Sequence, residues 1–321
     1  MMCNYGSGIP LQSLDKLEAQ FDAQLDTAGD ALETLILCTN GSFLDDMNVP
    51  VEAQRSLLRR AQQSVASTVI IETHLDTLSQ EKLRMVRTLI PEKPVILELG
   101  LESANPFVQK NCYLKEVPLD LLEKTMASAE KIGFAFQLNV ILGAPFLSKK
   151  EQMDDAEQTI RWALSHRAMS ALFPMNIKPY TLLRYAYRHG LYTPISHWMM
   201  PLLLSRFSAD ELAQIDLAWY GNRQIRYDVP DAATVFPADC SICHEPLQRF
   251  YQSYVLTSDG KDRRRLVEKI LASGRKSCVC MEYETSLLTE DSFSLEERVR
   301  KAQRSLLSFL ERETFGEVKT Q

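Results

Sequence analysis

Short apolar runs alternate with amphipathic segments along roughly the first half of the chain. The apolar runs are rich in leucine and β-branched residues, which is typical of strands covered on both faces. They predict strands at residues 32–38, 68–72, 95–101, 134–142 and 169–177. Apolar residues at three- and four-residue steps predict helices at residues 11–25, 51–66, 79–89, 119–132 and 149–164. Strands that alternate with helices in this way predict an α/β fold with a parallel sheet.

Polar residues stand at the carboxyl ends of the predicted strands. They are Asn40, Glu72, Glu98, Glu102, Ser103, Asn139 and Asn176. In βα barrels, ligands bind at this end of the strands. No G-x-G-x-x-G motif follows the first strand, so a dinucleotide-binding sheet has little support. We therefore predict a partial (β/α) barrel with its site at the rim.

The alternation stops after Pro179, and the chain is predicted to divide there into two regions. Residues 1–180 form the barrel and residues 181–321 form a mainly helical extension. Within the extension, paired cysteines mark a metal-binding segment at about residues 237–285. A last amphipathic helix is predicted at residues 295–309.

Composition narrows the class of protein. The chain has 321 residues, of which 45% are hydrophobic, which is enough to bury a large core without disulfides. Its 36 basic and 42 acidic residues give a net charge of −6, so a DNA-binding platform is not expected. No apolar run approaches the ~20 residues that span a bilayer, and the amino terminus does not resemble a secretory signal. We expect a cytoplasmic protein with no membrane partner.

Seven cysteines are present, an odd number that argues against a disulfide framework. Cys38 and Cys112 lie in apolar or neutral surroundings and are expected to be small core or surface residues. Four others form two tight pairs, Cys240-x-x-Cys243 and Cys278-x-Cys280. Four thiolates can hold a structural Zn²⁺ or an auxiliary iron–sulfur cluster, and zinc is favoured because no open coordination position is evident. His244 can replace one thiolate, and four free thiols are the alternative.

Two further features have structural interpretations. The basic run Lys261-Asp262-Arg263-Arg264-Arg265, with Arg275-Lys276, is expected to be a solvated helix face, and contact with phosphate is the alternative. An aromatic-rich stretch beyond the fifth strand is expected to pack helices. It contains Tyr180, Tyr185, Tyr187, Tyr192 and Trp198.

Three blocks of sequence resemble, in order and spacing, the radical S-adenosylmethionine (SAM) enzymes. They are Cys38-Thr39-Asn40-Gly41-Ser42-Phe43-Leu44-Asp45, Glu98-Leu99-Gly100-Leu101-Glu102-Ser103-Ala104-Asn105 and Asn139-Val140-Ile141-Leu142-Gly143-Ala144-Pro145-Phe146-Leu147-Ser148. The resemblance covers roughly Cys3 to Pro179 and is greatest to the archaeosine-biosynthesis branch. The Elongator catalytic subunit is similar at a greater distance.

The family's hallmark is a C-x-x-x-C-x-x-C loop whose thiolates hold a 4Fe–4S cluster. Here Met2-Cys3-Asn4-Tyr5-Gly6 resembles the end of that loop, and the two preceding cysteines are not in the sequence. Either the natural protein has more chain upstream, or it has lost the cluster and its chemistry. The intact polar strand ends favour the first explanation.

The resemblance implies roles for the polar strand ends. The turn at Asn40, Gly41 and Ser42 would meet the SAM ammonium, although an ordinary Asn-Gly turn explains it equally simply. Glu98, Glu102 and Ser103 would contact the ribose and the carboxylate of SAM. The alternative is that Glu98 forms an ion pair with a buried lysine or arginine.

The adenine would lie along Asn139 and Gly143, with Asn176 at its edge. A plain strand-to-helix turn at Gly143 is the alternative. Glu72 and His74 follow the second strand and can face substrate, although a single histidine in this position is more often structural.

Two classes of function follow from the resemblance. The first is a radical SAM enzyme that cleaves SAM to a 5′-deoxyadenosyl radical, with an electron-donor protein as partner. Its substrate is expected to be a small molecule rather than RNA, although a modified nucleoside remains open. The second is a cluster-less protein that binds SAM or a nucleotide, or a zinc-bearing interaction protein.

Overall fold

Six parallel strands form a half-barrel whose spatial order follows the chain. The computed structural model describes residues 13–39, 41–218, 234–237, 239–289 and 293–316. The strands are β1 (Thr34–Leu37), β2 (Thr68–Thr73), β3 (Val95–Glu102), β4 (Phe134–Leu142), β5 (Met169–Pro174) and β6 (Ile215–Leu217). All five neighbouring pairs are parallel, so the predicted partial βα barrel is confirmed.

Helices connect the strands and continue beyond the sheet. Those of the first half are α1 (Leu14–Ala28), α2 (Val51–Gln63), α3 (Gln80–Leu89), α4 (Pro106–Val108), α5 (Leu119–Glu130) and α6 (Lys149–Ser165). Those of the second half are α7 (Leu182–Arg188), α8 (Met199–Leu204), α9 (Ala209–Leu212), α10 (Ser241–Val255), α11 (Gly260–Ser277), α12 (Cys280–Ser286) and α13 (Leu295–Gly316). A π-turn at Gln109–Tyr113 extends α4.

The longer helices begin where local chemistry favours them. The Ser79 hydroxyl accepts a hydrogen bond from the backbone N–H of Lys82 at the start of α3, as predicted. At α6, the hydroxyl of Ser148 accepts from the N–H of Glu151, whose carboxylate accepts from the N–H of Ser148. This reciprocal cap fixes the turn that follows β4.

The strand β6 corrects the prediction that the alternation ends near Pro179. It pairs with β5 from Ser170 to Leu172, so the sheet continues past residue 180. Its three residues lie in the region that was expected to be a mainly helical extension. A strand this short is too brief to show a hydrophobic period, so only its pairing with β5 reveals it.

The core lies mainly outside the half-barrel, between the sheet and its helices. Leu97 and Leu99 of β3 point outward and are buried against helices that include α3 and α5. A second cluster joins the outer face of β4–β6 to α6, α8, α10 and α11. A third covers the rim between the β4–α6 turn, α7 and α13. No helix within the described ranges combines the length and apolar character needed to cross a bilayer.

The aromatic stretch after β5 is divided between core and surface. Tyr192 and Trp198 are buried, which confirms the predicted packing role for these two residues. Tyr180 is 86% exposed and adopts a left-handed backbone conformation, so the prediction was wrong for Tyr180.

Candidate functional site

The concave face of the half-barrel carries a row of polar side chains. Along β3, the outward residues are buried and the alternate residues are half-buried, so Glu98, Gly100 and Glu102 share the inner face. The register places Glu72 of β2 beside Glu98, and Glu98 beside Gln137 of β4. Three neighbouring strands therefore deliver these side chains to one level of the concave face.

The carboxylates on this face raise one another's affinity for protons. The pKa of Glu72 is raised to about 7, first by burial and then by the charges of Glu98 and Glu102. Lys178 and Lys115 act in the opposite direction. Burial also raises the pKa of Glu98, against a hydrogen bond from the Asn139 side chain. The site is thus rich in negative charge that its own lysines offset only in part.

A bulge at the end of β3 sets the position of Glu102. The register shifts between Gly100 and Glu102, and Glu102 has a φ of 65°, a conformation unusual outside glycine. Its Oε1 lies 2.8 Å from Lys115 Nζ, which also donates to the Gly100 carbonyl at 2.7 Å. A Cβ on Gly100 would lie 2.6 Å from Glu102 Oε1 and 2.7 Å from Lys115 Nζ. A side chain at position 100 would displace the ion pair, because Glu102 and Lys115 occupy the space that its Cβ would need.

Several hydrogen-bonding groups near this face have no partner among the described residues. The Oδ1 atoms of Asn139 and Asn176 are buried and accept no hydrogen bond. Gln137 is 8% exposed and lies on the same strand, two residues before Asn139. Buried acceptors of this kind are costly unless a ligand or water supplies a donor.

Cys38 adjoins the same face at the end of β1. Its thiol pKa is raised by burial and by the charges of Glu72 and Glu98, which places the sulfur near both carboxylates. Cys38 and Gln137 were not selected from the sequence as site residues. Gln137 precedes Asn139 by two positions, and strand alternation therefore indicated that they share a face.

Other predicted site residues have partners within the protein. The Ser42 hydroxyl lies 2.7 Å from Thr73 Oγ1 and 2.7 Å from Thr77 Oγ1, and it joins the loop after β1 to the end of β2. Gly41 packs against the side chain of Asn48, with 2.6 Å from an added Cβ to Asn48 Nδ2. Asn40 lies outside the described residues, as does Cys3.

Ser103 and Gly143 are held by contacts away from the carboxylate row. Ser103 is buried, and its hydroxyl donates to Asp155 Oδ1 of α6 at 2.7 Å. Gly143 has a φ of 110°, and an added Cβ would lie 2.9 Å from Ile195 Cγ2 and 3.0 Å from Met175 Cβ. These contacts account for both residues within the fold, and their contacts with SAM stay predictions.

The four late cysteines come together although 34 residues separate the two pairs in sequence. Their Sγ atoms all lie within 4.8 Å of one another. A tetrahedral ion with Zn–S bonds of about 2.3 Å separates its sulfur ligands by about 3.8 Å. The ligands of a four-iron cluster bind four different irons and stand further apart. The spacing therefore suits a single ion such as Zn²⁺.

A buried histidine–aspartate pair supports this cysteine cluster. Asp239 precedes Cys240, and its Oδ2 lies 2.7 Å from His197 Nδ1, with both side chains fully buried. His244, considered from the sequence as a ligand, lies with its Nδ1 3.8 Å from the same Asp239 oxygen. The pair fixes the start of α10, which carries the first two cysteines.

The basic run in α11 has an unexpected role. Arg263 is 3% exposed and donates to the carbonyls of Leu212 and Ile215, both at 2.8 Å, and to Asp216 Oδ1 at 2.6 Å. It therefore joins α11 to β6. The prediction of a solvated helix face was wrong for Arg263, whereas Arg265 is exposed beside Asp262 as expected.

Comparisons with known proteins agree with this architecture. No family model matches the chain. The archaeosine synthase subunit beta of Methanosarcina acetivorans is 23% identical over 252 residues, which cover 78% of this chain and 70% of that protein. The subunit of the same name from Thermococcus kodakarensis is 24% identical over 169 residues, or 50% of this chain and 51% of that protein. The chain thus spans about half the length of the second relative.

One solved structure shares the fold over most of the chain. It is Elp3 of Methanocaldococcus infernus with an N-terminal deletion, which has a TM-score of 0.52 and 15% identity. The match covers 75% of this chain and 60% of that one. The chain therefore shares the partial βα barrel of this Elp3, which is the fold that the three sequence blocks predicted. Its sequence is similar to that of archaeosine synthase subunit beta.

Proposed function

We propose that the concave face binds S-adenosylmethionine. SAM has two positive groups, a sulfonium and an ammonium, and one negative group, a carboxylate, so its net charge is positive. Its ribose offers two hydroxyl donors. The face presents the complementary groups, namely the carboxylates of Glu72 and Glu98 and the unpartnered Oδ1 of Asn139. The single observation that carries the proposal is this convergence of acceptors on neighbouring strands at the ligand-binding end of a parallel sheet.

The residues of this face would have distinct tasks. Glu98, held by the Asn139 amide, and Glu102, held by Lys115, are oriented before ligand arrives. Asn176 Oδ1 and Asn139 Oδ1 would accept hydrogen bonds from the adenine or ribose. The half-buried surroundings strengthen each contact by excluding water.

We further propose that the protein is a radical SAM enzyme that acts on a modified nucleoside or a related small molecule. The names of the two relatives support this substrate class. In the superfamily, a 4Fe–4S cluster and SAM together supply a 5′-deoxyadenosyl radical that abstracts hydrogen, and an electron-donor protein serves as partner. Among the described residues, Cys38 is the single cysteine adjoining the concave face, so these residues do not form a cluster site.

The second candidate is a protein that binds SAM without a cluster. Anaerobic reconstitution with iron and sulfide, followed by iron analysis, separates the two. About four irons per chain with release of 5′-deoxyadenosine on reduction supports the enzyme, and SAM binding without iron supports the second candidate.

The binding proposal is tested by equilibrium dialysis with labelled SAM. Glu98→Gln keeps the shape of the side chain and removes its charge, and we expect it to weaken SAM binding about tenfold. Glu123→Gln, on the exposed face of α5, is the matched control and should bind as the wild type does. Equal affinity for the wild type and Glu98→Gln would refute this site.

Binding should also depend on pH through Glu72. Because the pKa of Glu72 is raised to about 7, this carboxyl is mostly neutral at pH 6 and mostly charged at pH 8. A ligand with net positive charge should therefore bind more tightly as pH rises through 7, by about fivefold. Dialysis across this range measures the effect, and Glu72→Gln should flatten the profile. A steep profile retained in Glu72→Gln would assign the proton to another group.

Gly100→Ala tests the role of the Glu102–Lys115 ion pair. The added methyl group displaces two flexible side-chain ends rather than backbone, so the free energy of unfolding should change by less than about 1 kcal/mol. SAM binding should nevertheless weaken about fivefold because Glu102 loses its position. Lys115→Met should likewise weaken SAM binding while changing the free energy of unfolding only slightly. Unchanged affinity in both variants would contradict a role for the pair.

We propose that Cys240, Cys243, Cys278 and Cys280 hold a structural Zn²⁺. The distances between their sulfurs support a mononuclear site. Hydrogen bonds from Cys280 lower the pKa of Cys278 to about 7, which makes its thiolate accessible at neutral pH. Four thiolates close the coordination shell, so the ion would stabilise the fold rather than act on a substrate.

A further inference from the structure

A second cavity opens at the same end of the barrel as the candidate SAM site. It is a groove of about 460 Å³ between the turn after β4, the loop after α7 and one side of α13. Its lining includes Lys149, Arg298 and Lys301 and contains no carboxylate residue. In a chain with net charge −6, a groove lined by three cations and no acid stands apart from the rest of the surface.

Two of these cations have little compensation from the protein. Lys149 is half-buried, and its Nζ makes one long hydrogen bond, 3.3 Å to the Pro194 carbonyl, among the described residues. Burial lowers the pKa of Lys149, against the more distant charge of Glu284. The ammonium of Lys301 lies 5.1 Å from the centroid of Phe293 and has no carboxylate within ion-pair distance in the described part of the chain. An anion in the groove would satisfy both lysines.

The remaining groups of the groove suit the same ligand. Lys149 begins α6, a helix of 17 residues, so the positive end of the helix dipole lies beside the groove. The cap between Ser148 and Glu151 already occupies the backbone N–H groups of those two residues. Ser148, Thr193 and Ser305 add hydroxyls to the lining. Gln152 is 4% exposed, and its Oε1 has no hydrogen-bond partner in the described ranges. Its unused acceptor can take a hydroxyl donor from a ligand, such as that of a sugar or of a singly protonated phosphate.

Arg298 lines the groove, but an ion pair within the protein already engages its guanidinium. Its guanidinium pairs with Glu151 at 2.9 and 3.1 Å and fixes α13 against the cap of α6. The pair holds the two walls of the groove at a set distance. Lys301 lies one turn further along α13, so it is the mobile cation of the site.

We propose that this groove binds a phosphate group of a ligand. The site is separate from the SAM face and does not depend on it. Its position at the carboxyl ends of the strands would place the phosphate beside whatever substrate meets the concave face. The phosphate belongs either to the backbone of an RNA or to a free nucleotide or similar small molecule.

The experiment uses the full chain and two probes, a short fluorescein-labelled oligouridylate and inorganic pyrophosphate. Lys301→Glu reverses the charge of an exposed residue that makes no ion pair, so the fold should be retained. Lys149→Gln is the second variant. Lys124→Glu on the exposed face of α5 makes the same charge change elsewhere and serves as the control.

We expect Lys301→Glu to weaken probe binding at least about tenfold and to lower the slope of log affinity against log salt by about one. Lys124→Glu should bind as the wild type does. Oligouridylate binding that depends on Lys301 identifies RNA phosphate as the ligand. Pyrophosphate binding that depends on Lys301, with no oligouridylate binding by the wild type, identifies a small phosphate compound.

The proposal is overturned if neither probe binds, if Lys301→Glu binds as tightly as the wild type, or if Lys124→Glu weakens binding equally. Equilibrium dialysis of SAM with the same variants measures the SAM site independently of the groove. Unchanged SAM binding in Lys301→Glu is expected whether or not the groove binds phosphate.

Discussion

Cys240→Ala is expected to release the metal ion and to lower the thermal stability of the helical extension more than any other single change. Three remaining thiolates cannot complete a tetrahedral zinc site, and apparent binding free energies of structural zinc reach about 10–16 kcal/mol in zinc-finger peptides. The cysteines join the start of α10 to the start of α12, and Cys243 is buried in the cluster that packs on β4–β6. Loss of the ion should therefore loosen α10 and α12 together.

Metal analysis and thermal unfolding measure this result. The wild type should contain about one zinc per chain, and a strong chelator should lower its unfolding temperature to that of Cys240→Ala. Cys38→Ala, an exposed cysteine far from the cluster in sequence, is the control and should retain its metal. Full zinc content in Cys240→Ala, or a wild type indifferent to chelator, would exclude the four-cysteine site. Stoichiometric iron together with a visible absorbance would show that the four cysteines bind iron and not zinc.

Arg263→Ala is expected to destabilise the protein by about 3–5 kcal/mol. The guanidinium is buried, and its removal takes one donor each from the carbonyls of Leu212 and Ile215, which then keep only the hydroxyl of Tyr254 at 3.5 and 3.1 Å among the described residues. It also removes the ion pair with Asp216 and the stacking on Tyr254, whose ring centroid lies 4.7 Å away. The junction of α11 with β6 should open first, because Arg263 supplies most of its polar contacts.

Arg265→Ala provides a control two residues away in the same basic run. Arg265 is exposed and pairs with Asp262 at 2.7 Å within the helix, so its loss should cost no more than about 0.5 kcal/mol. Denaturant unfolding of both variants measures the difference. A similar small effect for both arginines would show that Arg263 does not hold β6 to α11.

The sheet was predictable because its strands are buried on both faces. Apolar runs at residues 95–101 and 134–142 are long, and helices with clear periods separate them. Both runs became strands within a residue of the predicted ends. The strand β6 was not predictable, since Ile215–Leu217 is held in place by β5 and by the buried Arg263 rather than by its own pattern.

The candidate site was predictable where strand geometry alone decides it. Parallel strands end at one edge, so Glu72, Glu98 and Asn139 were expected to meet, and the structure brings them together. Their role in binding SAM stays a prediction. Lys115 was missed because it comes from a loop that no period describes.

Ser103 follows the alternation of β3, which points its side chain away from the face that carries Glu98 and Glu102. Its hydroxyl donates to Asp155 Oδ1 of α6. The contact of Ser103 with SAM came from the family resemblance alone and stays a prediction. The bulge between Gly100 and Glu102 was not predictable, because such bulges depend on packing between the strand and the loop that follows it.

The ion pair between Arg298 and Glu151 has a consequence for how the protein is made. The two residues are 147 positions apart, and Glu151 also caps α6. On the ribosome, the barrel strands emerge long before α13 does. The apolar rim that Val299 and Leu306 later cover must therefore stay open to water until synthesis is nearly complete. A nascent chain paused before this helix would expose that rim to chaperones.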